Sequence, residues 1–237
     1  MSDKNSSIFT LTIPVILAHP ALFEAKPFTD PRTGKPKGEP KFGANFVFEP
    51  DSEDLKSMKA LTAKLAKAAR PDIDLKTIKT PFSNGTVLAD KRKAKLGDKY
   101  TGDAEFQRGK VVIAARSKYQ PVLSLLGTLA LPIHKGKVVN GVLTLDDPEL
   151  LKTYKDKFFF GAKVLGEINL VWYDEVNNGQ PGVTAYLNQV FACGGGTRIS
   201  GRRSGAEAFS GYVGSVSAED PTAGSDWSGE VDDEIPF

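Results

Sequence analysis

Cations and aromatic rings are the two kinds of side chain here whose chemistry recurs together along the chain. The densest cationic cluster is Lys91, Arg92, Lys93 and Lys95, with Lys99 close behind and Phe82, Tyr100 and Phe106 interspersed. Lys110, Arg116 and Lys118 follow in a segment whose odd positions, Val111, Ile113 and Ala115, are apolar. Lys163, Tyr173 and Tyr186 lie on the outward phase of two later alternating segments. Lysine and arginine neutralise phosphates and release counterions, while an aromatic face stacks on any base for roughly 1–3 kcal/mol. Together, on exposed surfaces, these residues suit single-stranded nucleic acid.

Catalytic chemistry is poorly supplied. The two histidines, His19 and His134, are not at metal-ligand spacing from each other or from the single cysteine, Cys193. Cys193, beside three glycines, reads as a small thiol rather than a nucleophile. Gly161 to Gly166 has the first spacing of a phosphate loop, but Glu167 stands where its lysine belongs. The acidic pairs Asp72/Asp74, Asp146/Asp147 and Asp174/Glu175 are of a type that holds Mg²⁺ in nucleases, yet each reads more simply as a turn or an element end. No enzyme activity, cofactor or metal is expected.

Charge is divided along the chain. From Ser204 onward there are eight acids and no lysine or arginine, which leaves 21 acids against all 31 cations in residues 1–203, a formal +10. The overall +2 hides a cationic body joined to an anionic tail. One cysteine excludes an internal disulfide and fits a reducing compartment. The first residues lack the order of a secretory signal, and no apolar run approaches the ~20 residues that cross a bilayer, so a soluble, cytoplasmic protein is expected.

Period-two patterning must position these side chains. It predicts strands at Ile8–Leu17, Phe42–Phe48, Lys110–Lys118, Phe158–Tyr173 and Val183–Ala192, with shorter ones near Thr128–Ile133 and Lys137–Leu145 about a turn at His134. Asn177-Asn178-Gly179 is a hairpin signal between the two longest. In Phe158–Tyr173 the inward phase holds Phe160, Ala162, Val164, Ile168, Leu170 and Trp172, which assigns Trp172 to the core and Tyr173 to the surface. In Val183–Ala192, Val183, Ala185, Leu187 and Phe191 point inward. One main helix is expected from Asp51 or Ser52 to Ala69, ended by Pro71, with Leu55, Met58, Leu61, Thr62, Leu65 and Ala69 as its buried stripe. Residues 18–41, with five prolines and Lys26, Arg32, Lys35, Lys37 and Lys41 around Phe23 and Phe28, read as a long basic loop. The polar stretch 80–109 reads as another, and Pro148 to about Tyr154 as a helical turn. The fold class is mainly β: an OB-fold-like Greek-key barrel with one main helix and long basic loops, plus a disordered acidic C-terminal tail. Residues 1–203 form the binding domain, and 204–237 a flexible acidic protein-interaction tail.

The tail ends Asp232-Asp233-Glu234-Ile235-Pro236-Phe237, acids followed by a rigid apolar tip. Such a tip suits docking, with ring and Ile in an apolar pocket and the acids steering toward a basic rim. It resembles the tip of bacterial single-stranded DNA-binding proteins. The body is similar instead to the OB-fold single-stranded DNA-binding proteins of tailed bacteriophages, through Phe158-Phe159-Phe160-Gly161-Ala162-Lys163, Trp172-Tyr173 and Gly182 to Val190. That resemblance implies coating of single-stranded DNA in phage DNA replication, recombination and repair inside the bacterial host. It further implies that the tail recruits replication and recombination proteins (polymerase, helicase/primase, nuclease), and it leaves room for a homodimer. Competition between tail and DNA for the basic groove is also expected. The expected DNA contacts are Lys91, Arg92, Lys93, Lys95, Lys110, Arg116, Lys118, Lys163, Tyr173 and Tyr186. The competing readings are a scaffold or virion-associated protein with an acidic partner-binding tail, and a metal-dependent nuclease using Asp72 and Asp74.

Overall fold

Alternating burial along the strands builds a barrel, and helices and loops are hung on its outside. The computed structural model describes residues 5–29, 36–125, 137–144, 148–174 and 179–199. All of them belong to the unit Met1–Gly201. The tail at 204–237, the strand expected at Thr128–Ile133, His134, Arg32, Lys35, Asp146, Asp147, Glu175 and the Asn177-Asn178 pair lie outside the described residues. The strands are β1 (Ser6–Thr10), β2 (Val15–Thr29), β3 (Pro36–Phe48), β4 (Phe82–Asn84), β5 (Val111–Ser117), β6 (Val122–Leu125), β7 (Lys137–Val139), β8 (Val142–Thr144), β9 (Ala162–Tyr173) and β10 (Gly182–Gly196). The helices are α1 (Glu53–Ala69), α2 (Gly85–Leu96) and α3 (Pro148–Lys157). None of them is long and apolar enough to cross a membrane.

Five strands close the barrel in the order β2-β3-β5-β10-β9, with Val15 of β2 pairing Val164 of β9 to shut it. Neighbours are antiparallel except β5 and β10, which run parallel where Tyr186 meets Arg116. Taken in chain order this is the 1-2-3-5-4-1 circuit of an OB-type Greek key. β1 extends β9, β4 and β6 flank β5 and β10, and β7–β8 form a hairpin beside β2.

The core is the inward phase of these strands: Ala44, Phe46, Phe48, Ile113, Ala115, Val164, Ile168, Leu170, Trp172, Val183, Ala185 and Leu187. α1 contributes Leu55, Met58 and Leu65 to the same cluster, as its stripe predicts. Gly166 is part of the packing: a Cβ there would lie 2.8 Å from the Phe46 ring, so this core aromatic fills the space that glycine leaves. In β10 a bulge between Leu187 and Gln189 changes the phase. Val190 and Ala192 are therefore buried, and Phe191, expected inside, is only half-buried.

Other differences have equally local causes. Ile8–Leu17 is two strands, broken at Leu11–Pro14, with Ile13 exposed. The stretch 18–41 is largely the β2–β3 pair, not a loop, because three register shifts take up residues that cannot join the ladder. His19, just before Pro20, adopts a positive φ of 46° at the first shift. Residues 80–109 contain β4 and α2. The helix carries no apolar stripe, only Gly85 and Ala89 being buried, and its start is fixed by Asn84 Oδ1 accepting from the Thr86 and Val87 amides at 2.9 and 3.3 Å. In place of the single strand expected from Lys137, residues 137–144 form a hairpin turning at Asn140-Gly141, both at positive φ, an Asn-Gly signal that alternation alone overlooks. The turn after Pro148 continues as the whole of α3, and β9 begins only at Ala162.

Candidate nucleic-acid interface

The registers align the outward side chains into rungs that cross the barrel wall. One rung runs Ala21, Gly43, Arg116, Tyr186, Asn169, over β2, β3, β5, β10 and β9 in turn. The next holds Ala18, Asn45 and Ala114. On the other side of the first, Lys26 stands opposite Lys41, and one step beyond the Phe42–Ser117 pair lies Lys118. At the far end of this face Ala18, Val47 and Val112 form a second small apolar cluster, covered by Leu88 of α2 with Phe106 and Phe160. The wall between α2 and the lysine rung is left open.

Within it lies a groove of about 730 Å³ lined by Lys79, Phe82, Ala114, Tyr173, Thr184 and Tyr186 among others. Tyr173 and Tyr186 both line it because β9 and β10 are antiparallel neighbours, Tyr173 pairing Gly182 and Tyr186 pairing Asn169. Lys79 and Phe82 are brought in by a strap: the Lys79 amide donates to Pro181 O, the Val183 amide donates to Lys79 O, both at 2.9 Å, and Phe82 pairs Ile113. Neither Lys79 nor Phe82 was picked out as a contact from the sequence. Only the fold, which ties residues 79–82 to the start of β10, could reveal them.

Arg116 lies flat across Gly43. Its Nη1 donates to Ala44 O at 2.8 Å and Ala115 O at 3.0 Å, and its Nη2 donates to Asn45 Oδ1 at 2.9 Å. No carboxylate among the described residues pairs with it, and burial holds its pKa below the usual arginine value. A guanidinium partly desolvated without a counter-charge favours an anion nearby. A Cβ at Gly43 would stand 2.5 Å from Arg116 Cδ. Because that Cβ would stand closer still to the Ala115 carbonyl oxygen, Gly43→Ala is expected to force β3 off β5 as well as displace the guanidinium, cost about 3 kcal/mol of stability or more in a denaturant titration, and weaken nucleic-acid binding with it.

The remaining expected contacts disperse. Lys91, Lys93 and Lys95 are exposed on α2, and Lys91 and Lys95 have no ion-pair partner among the described residues. Arg92 is instead a structural latch, both Nε and Nη2 donating to Asp103, whose carboxyl that contact holds below its ordinary pKa. His19 sits beside this latch with its ring 4.7 Å from Phe160, and burial first, then Arg92, lowers its pKa. Lys110 pairs with Glu49 at 2.8 Å near the start of α2, away from the groove. Lys118 makes an exposed pair with Glu39 at 3.2 Å, worth little in water. Lys163 lies ten residues from Tyr173 on the same outward phase, roughly 33 Å along β9, and does not line the groove. Tyr119, which the sequence reading passed over, is 78% exposed just past Lys118.

Asp74 Oδ1 accepts from the Lys76 amide at 2.9 Å, capping a turn, and among the described residues no three His, Cys, Asp or Glu side chains gather to hold a metal. Fold and face thus define an OB-type barrel with an open groove, aromatic and basic, on its wall. No family model and no curated protein matches the sequence. Among solved structures, the single-stranded DNA-binding protein from bacteriophage Enc34 is similar at 16% identity and a TM-score of 0.49, over 88% of this chain and 96% of that one. The Enc34 protein in complex with ssDNA matches at 15% and 0.49, over 84% and 96%, and gp2.5, a single-stranded DNA-binding protein encoded by bacteriophage T7, at 14% and 0.42, over 84% and 94%. Likeness at this level carries no argument about what this chain binds.

Proposed function

We propose that the chain is a non-enzymatic single-stranded DNA-binding protein whose residues 1–203 hold the strand across the outer wall of β9, β10, β5 and β3. The observation that carries this reading is the groove lined by Tyr173, Tyr186, Phe82 and Lys79 beside a guanidinium that no carboxylate among the described residues pairs with. Rings there stack on bases of any sequence, while Lys79, Arg116 and the lysines of the next rung and of α2 neutralise the backbone. Within that wall β3 and β5 are strands two and three of the barrel in chain order, the face that takes oligonucleotides on OB barrels, and the groove adjoins it on β10 and β9. Titration of the full chain with labelled oligo-dT over a range of salt tests the reading: affinity should fall steeply with salt along a linear log–log line. Absence of binding at low salt would return the chain to the scaffold reading.

Within this proposal the protein coats single-stranded DNA during phage DNA replication, recombination or repair in the host cytoplasm, and residues 204–237 recruit replication proteins through Ile235-Pro236-Phe237. The tail's eight acids against the body's formal +10 also make it a competitor for the groove. Removal of residues 218–237 should tighten oligo-dT binding severalfold at low ionic strength, an advantage that shrinks as salt screens it. Equal affinities with and without those residues would dismiss the competition.

A further inference from the structure

Asn45 was not among the residues picked out above as nucleic-acid contacts, yet its amide is set in one orientation. A guanidinium only donates, so the group facing Arg116 Nη2 at 2.9 Å must be the oxygen of Asn45. Its Nδ2 is thereby turned away, with no acceptor among the described residues and not sealed from solvent. Arg116 has used both Nη1 hydrogens and one on Nη2, so its second Nη2 hydrogen is unspent. Two nitrogen donors therefore bracket one satisfied oxygen. Asn45 itself stands between Ala18 and Ala114, and Ala114 opens into the aromatic groove.

This arrangement rests on the single-stranded DNA reading, and within it the donors meet bases. Rings that stack bases lie on the same wall, so bases face the floor there, and the phosphates fall to the flanking lysines, Lys26 and Lys41 among them. We propose that Asn45, held by Arg116, reads one base edge and favours an edge with two adjacent acceptors: O2 and N3 of cytosine, or O6 and N7 of guanine. Thymine and uracil place an N–H between their two carbonyls, and adenine places its amino group beside N7 and N1, so none of these offers the pair.

The test is binding of the full chain to oligo-dC, oligo-dT and oligo-dU of equal length at neutral pH and fixed salt, for wild type, Asn45→Ala and the near-isosteric Asn45→Asp. The readout is the ratio of dC to dT affinity, which loss of fold or of a phosphate contact leaves unchanged. Wild type should prefer dC by about fivefold or more over both dT and dU, the dU arm removing the thymine methyl as the cause. In both variants the ratio should fall to about one. A wild type without dC preference, or a preference that survives both substitutions, overturns the proposal while oligo-dT binding still stands. Failure of the wild type to bind any of the three removes the parent reading instead, and this inference with it.

Discussion

Tyr186→Ala is expected to lower affinity for oligo-dT about 5- to 150-fold, the range that corresponds to ~1–3 kcal/mol for one lost stacking platform. Tyr186 is 43% exposed and in register with Arg116 on one side and Asn169 on the other, so it lies within the widest rung, next to the guanidinium. Because it is not a core residue, thermal stability should change little. Because no charge is lost, the slope of log affinity against log salt should be preserved, whereas removal of a phosphate-contacting lysine lowers that slope by about one or less. Tyr173→Ala should act in the same direction. Fluorescence anisotropy of a labelled oligo-dT measures both variants without relying on the protein's own rings. Wild-type affinity in both would show that the groove does not stack bases, and a changed slope with unchanged fold would show that the ring acts on the backbone instead.

The assignment of Tyr173 and Tyr186 to the surface and Trp172 to the core was legible in the sequence because one side of a barrel wall is dry and the other wet. That difference writes a period of two into β9 and the first half of β10, and Trp172 is indeed 5% exposed. The meeting of Tyr186 with Arg116 was not legible. It depends on the parallel contact of β5 with β10, across some seventy residues of chain, which only closure of the barrel specifies. For β2–β3 the signal was present but misleading: prolines that argue against a regular strand are tolerated where the register slips. For α2 there was hardly a signal, since the helix rests on the wall by Leu88 and Ala89 and offers lysines elsewhere. Charge clustering therefore marked the segment 91–95 but could not separate Arg92, which latches the helix to Asp103, from the lysines around it. Types of residue were readable; their pairing was a property of the fold.

The same distinction between wall and scaffold predicts a large stability effect with no direct effect on binding. Asp54, in the first turn of α1, is 4% exposed and accepts three hydrogen bonds: from the Thr12 amide at 2.8 Å, the Ile13 amide at 2.9 Å and the Thr12 hydroxyl at 2.7 Å. It thereby ties the break between β1 and β2 to the helix whose Leu55 and Met58 complete the core. Asp54→Ala leaves two amides without their partner, and hydrogen bonds to a charged group are worth more than neutral ones, so the loss should be about 2–4 kcal/mol. Asp54→Asn can keep its oxygen on the two amides and donate its Nδ2 to the Thr12 hydroxyl, but a neutral oxygen accepts more weakly than a carboxylate, so it should recover only part of the loss. Urea denaturation measures both, with the midpoint falling and the slope constant if the unfolded state is unaltered. None of these three residues lines the groove, so the folded fraction of Asp54→Ala should bind oligo-dT as wild type does. A midpoint shift corresponding to less than about 0.5 kcal/mol would mean that solvent or neighbouring groups take over the bonds, and a loss of affinity in the folded fraction would mean that α1 and the groove are coupled.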